Sequence, residues 1–231
     1  MARIVKAHAV RRNEILDVAQ RLIYTKGYEQ MTIQDILDGL QISKGAFYHY
    51  FDSKQALLEA IIERMQHEVE QILLPIVQDP QLSALEKLDR FFATASSWKT
   101  ARKDFFLALL RVWYTDDNAI VRQKMRTTGA TWLAPWLSAI IHQGVEEGVL
   151  TTSYPNWVGE VVLALVMEFG ETLGRLLLSF EPERDDMLRI EGTVAVYTDA
   201  LERVLGTPKG SLQIIDSETL KVWFVSSKDN A

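Results

Sequence analysis

The chain has 231 residues, and 48% of them are hydrophobic, which is enough to bury the core of one large domain or two small ones. It contains no cysteine, which excludes disulfides, thiolate metal sites and cysteine nucleophiles. The formal net charge is −6, but residues 1–60 hold eight basic and seven acidic side chains while the remainder holds 17 and 24, so an acidic body on a slightly basic N-terminal segment is expected.

The hydropathy pattern predicts no membrane span. The longest apolar run, residues 161–167, is far too short to cross a bilayer, and the basic start of the chain lacks the apolar core of a signal peptide. We therefore expect a cytoplasmic location and no membrane partner.

The chain starts with a basic stretch that leads into the first predicted helix. The first twelve residues carry four basic side chains and no acidic one. Arg12, at the start of the helix, is predicted to contact a phosphate. Arg3 and Lys6 fit a basic arm on a polyanion and a solvated tail equally well.

The next predicted element is a short helix that starts after Thr32. The Thr32 hydroxyl can accept from the amide N–H three residues on, and Asp35 is placed to complete a capping box. Apolar side chains then recur at helical spacing until Leu40. The helix is expected to end at Gln41.

A second short helix is predicted to start after Ser43, which is another N-cap residue. It carries Phe47 inward, together with either Tyr50 or Phe51. Two short helices separated by such a break are typical of a helix-turn-helix that binds DNA.

The outward residues of this motif have the chemistry of a DNA-contacting surface. Small side chains at the start of the second helix let its backbone approach base edges, a lysine can donate to guanine, and tyrosine or histidine can donate to phosphates. Gln34, Lys44, Gly45 and Ala46 are candidates for base contacts. The residues expected mainly to position the DNA backbone are Arg12, Thr32, Ser43, Tyr48, His49 and Lys54, and Tyr50 is a further candidate for a DNA contact.

Residues 43–58 have the sequence Ser-Lys-Gly-Ala-Phe-Tyr-His-Tyr-Phe-Asp-Ser-Lys-Gln-Ala-Leu-Leu. This run resembles the recognition helix and the start of the next helix in the TetR family of transcriptional regulators. Residues 12–23 and 26–28 are similar to the first helix of that family and its closing glycine. One departure stands out, because the family usually has glycine in the turn where this chain has Gln41, and the glycine here is Gly39.

The predicted fold class is all-α. A three-helix helix-turn-helix domain is expected at residues 9–69, with the motif at 32–51, followed by a helical ligand-binding and dimerisation domain at 70–206 and a tail at 207–231. The resemblance implies that the helical body dimerises through its last two long helices and encloses a small-molecule pocket. Downstream helical patterns cover residues 53–77, 83–99, 101–114, 117–126, 131–147, 156–179 and 183–205.

The tail departs from the helical pattern. Residues 211–216 and 220–225 predict two short strands around a turn, forming a hairpin packed on the body or on a partner, and a loose end is the alternative. The resemblance to the family does not extend to this segment.

Several residues of the body are candidates for contacts with an effector. They are Trp113, Trp132, Trp136, Met167 and Glu168. Aromatic walls favour a bulky, apolar or aromatic ligand, although each tryptophan also fits a core position. For Glu168 the alternative is a solvated face on which Glu171 pairs with Arg175.

These patterns predict a homodimeric DNA-binding transcriptional regulator, a ligand-responsive repressor on a palindromic operator in double-stranded DNA. The alternative is a DNA-binding regulator without a small-molecule effector, controlled by a protein partner. An enzyme is not expected, because the four histidines are scattered and no nucleophile elbow or phosphate-cradling glycine loop occurs. No catalytic residue, metal ligand or cofactor is therefore predicted.

Overall fold

A computed structural model of the chain describes residues 8–114, 119–181 and 186–224. These residues form helices and connecting turns, with no strand among them, which confirms the all-α class. Within these ranges, no helix combines the length and the apolar character needed to cross a membrane. The helices are α1 (His8–Lys26), α2 (Ile33–Leu40), α3 (Lys44–Tyr48), α4 (Lys54–Gln78), α5 (Ala84–Thr100), α6 (Lys103–Trp113), α7 (Ala119–Glu146), α8 (Pro155–Leu178), α9 (Asp186–Leu205) and α10 (Ser217–Phe224).

The chain divides into two compact units. The N-terminal unit comprises residues 1–68 and 104–121, and the C-terminal unit comprises residues 69–103 and 122–231. Helix α6 thus belongs almost entirely to the N-terminal unit, although it follows α5 of the C-terminal unit in the sequence.

The N-terminal unit is built on the contact between α1 and α2. Ile15, Ile36 and Phe47, from three different helices, are fully buried in it. Helix α6 joins this unit through its first turn, where Phe105 is buried and Asp104 accepts a hydrogen bond from the Tyr24 hydroxyl at 2.9 Å. Burial of apolar side chains from every helix therefore stabilises the unit.

The C-terminal unit is centred on the packed pair α8 and α9, which bury their inner faces against α5 and α7. The predicted break between residues 126 and 131 is wrong, because α7 runs unbroken from Ala119 to Glu146. Apolar residues of α7 such as Leu137 and Ile140 lie in the same core. Burial along α7 thus outweighs the local pattern that suggested two helices.

The predicted hairpin in the tail is wrong. Residues 211–216 form no strand, and the second predicted strand falls on α10; Val225 lies outside the described residues. The Asp216 carboxylate accepts from the Thr219 amide at 2.7 Å and so caps the first turn of α10. Leu220 and Phe224, four residues apart, then face the same apolar cluster. Asp216 as a helix cap, followed by apolar residues four positions apart, indicates a helix, but the same residues also fit the alternating pattern of a strand.

The tail starts with a sharp turn at Gly206. This glycine has φ = 67°, and a Cβ atom there would lie 2.2 Å from the carbonyl oxygen of Thr151. The Thr151 amide donates to the Leu205 carbonyl at 2.9 Å, and the Thr151 hydroxyl donates to the Gly206 carbonyl at 2.8 Å. Only glycine fits this contact, which directs the chain back along the C-terminal unit.

Buried and partly buried polar groups anchor the tail to that unit. The carboxylate of Glu202, only 3% exposed, accepts from the amides of Gly210 at 2.7 Å and Leu212 at 3.2 Å. At the far end, the indole N–H of Trp223 donates to the Thr100 hydroxyl at 2.9 Å. Residues 207–224 of the tail are therefore an integral part of the C-terminal unit and not a loose end.

Candidate nucleic-acid interface

Helix α2 begins with the predicted capping box. The Asp35 amide donates to the Thr32 hydroxyl at 3.1 Å, and the Asp35 carboxylate accepts from the Thr32 amide at 2.8 Å. Lys26 from the end of α1 also donates to this carboxylate at 2.6 Å. The hydrogen bond from Lys26, with those from Thr32, lowers the pKa of Asp35 from 3.8 to about 2. The start of α2 is thus fixed to α1 by one ionised carboxylate.

In the turn between α2 and α3, a residue other than glycine adopts the left-handed conformation. Gln41 has φ = 53° and ψ = 46° and is the one non-glycine residue with positive φ in the described part of the chain. Its amide donates to the Asp38 carbonyl at 3.3 Å, which closes the end of α2. Gly39 instead allows α2 to pack closely against α1, since a Cβ there would lie 3.2 Å from a methyl group of Val18 on α1.

Helix α3 is short and fixed from both sides. The Ser43 hydroxyl accepts from the Ala46 amide at 3.2 Å, as expected for an N-cap residue. Phe47 is fully buried and Phe51 is 4% exposed, whereas Tyr50 is half-buried. Of the two alternatives for the second inward residue, the structure therefore selects Phe51.

The outer face of α3 is open. Lys44, Gly45, Tyr48 and His49 are exposed and Ala46 is half-buried. No atom lies within 4 Å of the position that a Cβ of Gly45 would take, so the backbone is accessible there. The Lys44 ammonium lies 5.9 Å from the centre of the Tyr48 ring.

The start of α1 lies beside the end of α3. The His8 ring centre is 5.6 Å from that of His49 and 4.6 Å from that of Tyr50. The Arg12 guanidinium lies 5.3 Å from the centre of the Phe51 ring. The structure thus brings three predicted contact residues, Arg12, His49 and Tyr50, to one place. Arg3 and Lys6 lie outside the described residues.

Lys54, a predicted phosphate contact, is partly engaged within the protein. Its ammonium donates to the Glu29 carbonyl at 3.3 Å and lies 4.3 Å from the centre of the Tyr28 ring. Burial lowers its pKa, although the nearby Glu29 and Asp35 carboxylates oppose this effect. Lys54 therefore connects the start of α4 to the loop between α1 and α2.

Gln34 is exposed on α2 and has a partner that the sequence analysis did not single out. Its side-chain amide donates to the Asp38 carboxylate at 2.7 Å. The two residues are four positions apart on a helix, which is the spacing that could have revealed the pair.

The predicted effector residues are divided between the two units. Trp113 belongs to the N-terminal unit, while Trp132 and Trp136 belong to the C-terminal unit and have ring centres 5.1 Å apart. Met167 packs beside Gly129, with its methyl carbon 3.4 Å from the position of a Cβ there.

Glu168 is exposed and lies on the polar face of α8. Its carboxylate accepts from the Arg175 guanidinium at 2.7 Å, and Glu171 pairs with the same arginine at 3.4 Å. The Glu171–Arg175 pair of the alternative interpretation is therefore present in the structure.

Two open clefts are described in the N-terminal unit. One lies between α1 and α2, with a volume of about 410 Å³, and includes Arg11, Arg21 and Asp38 in its lining. The other, of about 330 Å³, is lined in part by Tyr24 and Phe105. Neither is bounded by a predicted effector residue.

Comparisons with known proteins agree with this geometry. Residues 15–61 match the model of the bacterial regulatory proteins of the tetR family. Over 189 residues the chain is 24% identical to the HTH-type transcriptional repressor NemR of Escherichia coli K12, covering 80% of this chain and 94% of NemR. Over 124 residues it is 29% identical to the HTH-type transcriptional regulator EthR of Mycolicibacterium smegmatis, covering 46% of this chain and 57% of EthR.

Two solved structures share the fold. The reduced form of E. coli NemR superimposes with a TM-score of 0.55 at 20% identity, covering 85% of this chain and 98% of NemR. SmeT in complex with triclosan gives a TM-score of 0.61 at 17% identity, covering 90% of this chain and 98% of SmeT. Residues 15–61 therefore match the N-terminal domain of the tetR family, and the chain as a whole is similar in sequence and fold to transcriptional regulators.

Proposed function

We propose that the protein is a sequence-specific repressor that binds a palindromic operator as a homodimer and responds to a small molecule. The observation that carries this proposal is the outer face of α3, where Lys44, Gly45 and Tyr48 are exposed next to a capped N-terminus. A helix with an open backbone and donor side chains at its start suits entry into the major groove.

Phosphate and base contacts fall to different residues in this proposal. Tyr48, His49 and Arg12 surround the end of α3 and donate to phosphates, while Lys44 and Gln34 contact base edges. Lys54 keeps one interaction with the Glu29 carbonyl, and its remaining N–H groups are available to a phosphate. Phosphate contacts fix register, and base contacts provide sequence preference.

Exposed apolar side chains on α8 and α9 support a homodimer. On α9, Leu188 and Val196 are 69% and 67% exposed and flank Gly192, where a Cβ would meet nothing within 4 Å. On α8, Trp157 and Val161 are 69% and 50% exposed and lie four residues apart. Such apolar stripes, with a glycine that permits close approach of a second helix, suit a two-fold contact between copies of the chain.

A dimer places two recognition helices on one face of the DNA. Their separation must be about 34–36 Å to enter successive major grooves, so a small change in separation destroys the fit at one half-site. We propose that an effector binds the conformation with the wrong separation more tightly and so releases the operator, because equal affinity for both conformations would shift nothing.

Selection of DNA fragments by the purified chain tests the proposal. We expect enrichment of an inverted repeat whose half-sites are separated by about one helical turn. Enrichment of an unsymmetrical site would contradict the homodimer, and absence of any enriched sequence would contradict sequence-specific binding. Val196→Glu should give a monomer by light scattering and lose operator binding, whereas Lys209→Glu, outside these helices, should remain dimeric.

Two substitutions on α3 separate the two kinds of contact. Tyr48→Phe should weaken binding to all sequences several-fold, on the order of one lost hydrogen bond to a charged group, while Lys44→Ala should change which base is preferred. Lys209→Ala is the matched control, since it removes an exposed lysine far from α3 in the sequence. Unchanged operator affinity for both α3 variants at moderate salt would show that another face binds DNA.

The effector is proposed to be bulky and apolar or aromatic, as triclosan is in the SmeT complex. The rings of Trp132 and Trp136, in edge contact with each other, are the aromatic surface of the C-terminal unit that supports this. A regulator without a small-molecule effector is the second candidate, favoured by the observation that neither described cleft is lined by Trp132 or Trp136. A thermal-shift screen with aromatic, cationic and acyl compounds decides between them, because a ligand of the folded state raises Tm.

A further inference from the structure

The side chains of Gln34 and Asp38 form a pair on the exposed face of α2. The distance between the Gln34 Nε2 and the Asp38 Oδ1 is 2.7 Å, and both residues are exposed. An ionised carboxylate only accepts hydrogen bonds, so the atom of Gln34 that faces it must be the amide nitrogen. Most exposed glutamine amides are free to flip, but here the Asp38 carboxylate determines which way the Gln34 amide faces.

This orientation decides what Gln34 offers to DNA. Asp38 accepts a hydrogen bond from one N–H of the Gln34 amide. The Gln34 amide oxygen and the second N–H do not take part in this hydrogen bond. Adenine and cytosine present an amino group in the major groove, whereas guanine and thymine present carbonyl oxygens there. An outward amide oxygen accepts from an amino group and is repelled by a carbonyl oxygen.

We propose that Asp38 is a positioning residue for base recognition: it holds the Gln34 amide so that its oxygen faces the base edge and selects adenine or cytosine over guanine or thymine. The inference rests on the proposed DNA-binding function and specifies its base preference. Asp38 also places a negative charge one helical turn from Gln34 on the proposed DNA-binding surface, which weakens attraction to the phosphates. It therefore raises discrimination at the cost of overall affinity.

The test uses the full chain and the operator that it selects. Binding is measured by fluorescence anisotropy to duplexes in which each base pair of a half-site is replaced by the other three, for the wild type and for Gln34→Ala, Asp38→Asn and Asp52→Asn. Gln34→Ala identifies the position that Gln34 contacts, because the preference there disappears. Asp52→Asn is the matched control, since it removes an exposed carboxylate of the same unit outside α2.

At the position identified, we expect the wild type to prefer adenine or cytosine on the order of tenfold. Asp38→Asn should reduce this ratio to about threefold or less and bind every duplex at least as tightly, because asparagine can donate or accept and so allows both amide orientations. Asp52→Asn should keep the wild-type ratio. The double variant Gln34→Ala/Asp38→Asn should match Gln34→Ala in base preference, since Asp38 acts through Gln34.

Three results would overturn the proposal: an unchanged ratio in Asp38→Asn, a wild-type preference for guanine or thymine at that position, or no position affected by Gln34→Ala. Asp38→Ala repeats the test if the asparagine variant melts at a lower temperature. Because the wild type must already have selected an operator, each of these outcomes rejects the role of Asp38 while leaving the proposed DNA-binding function intact.

Discussion

Residues 32–51 and residues 207–224 are segments of similar length that are held in place by different kinds of interaction. In the first, each helix is capped by a residue three positions away, as in the contacts of Thr32 with Asp35 and of Ser43 with Ala46. In the second, the ends depend on residues far away in the sequence, since the Trp223 indole donates to Thr100, 123 positions earlier. The helix-turn-helix is thus specified largely by local caps, whereas the tail, although Asp216 caps α10, also depends on the surface it packs against.

Of the substitutions in these two segments, the largest loss of stability is expected at the end of the tail. Phe224→Ala should lower the free energy of unfolding of the C-terminal unit by about 3 kcal/mol, because the ring is 2% exposed and leaves a cavity beside Phe180. Denaturation in urea followed by tryptophan fluorescence measures the change. Val222→Ala, at a 39% exposed neighbour, is the control and should change stability by less than about 0.5 kcal/mol. Equal effects would mean that the tail does not depend on packing.

A smaller effect is expected where the tail begins. Glu202→Ala should cost about 2 kcal/mol, because the amides of Gly210 and Leu212 lose their buried acceptor. Glu202→Gln keeps an acceptor oxygen and should cost about half as much. Urea denaturation of both variants tests whether the alanine variant loses more stability than the glutamine variant. Faster amide hydrogen exchange at residues 210–212 in the alanine variant would locate the loss, and unchanged exchange there would contradict this account.

In the helix-turn-helix, the capping carboxylate predicts a response to acid. The folded pKa of Asp35 is about 2, below its ordinary 3.8. Its stabilisation is therefore fully present above about pH 4 and is lost as pH falls through 2. We expect Asp35→Asn to be less stable than the wild type at neutral pH, with the difference between their urea midpoints closing between pH 4 and pH 2. A difference that stays constant over this range would show that the charge of Asp35 is not responsible.

The smallest change in stability is expected at Gln41, in the turn between α2 and α3, and there the substitution should stabilise the protein. Gln41→Gly should raise the free energy of unfolding by about 0.5 kcal/mol, because glycine removes the left-handed strain of φ = 53° but gains entropy in the unfolded chain. Gln41→Ala keeps the strain and is the matched control. Thermal unfolding of both variants measures the difference, and a glycine variant less stable than the alanine variant would mean that the turn is not strained.

The sequence alone predicted the parts of the molecule that depend on nearby residues. The capping box at Thr32, the cap at Ser43 and the inward Phe47 all lie where the pattern placed them, because each involves residues within four positions. The departure at Gln41 was also visible in the sequence, and the structure shows that the chain keeps the left-handed turn there.

Only the tertiary structure decided the features in which distant groups meet. It selected Phe51 over Tyr50 as the second buried residue of the motif, paired Tyr24 with Asp104, and turned the predicted strand near Phe224 into a helix. Alternating and helical apolar patterns overlap in a segment of six residues, so the apolar spacing alone could not choose between them, although Asp216 offered a helix cap. The surface that buries Leu220 and Phe224 stabilises the helix, and most of its residues come from α8 and α9 and lie outside the tail.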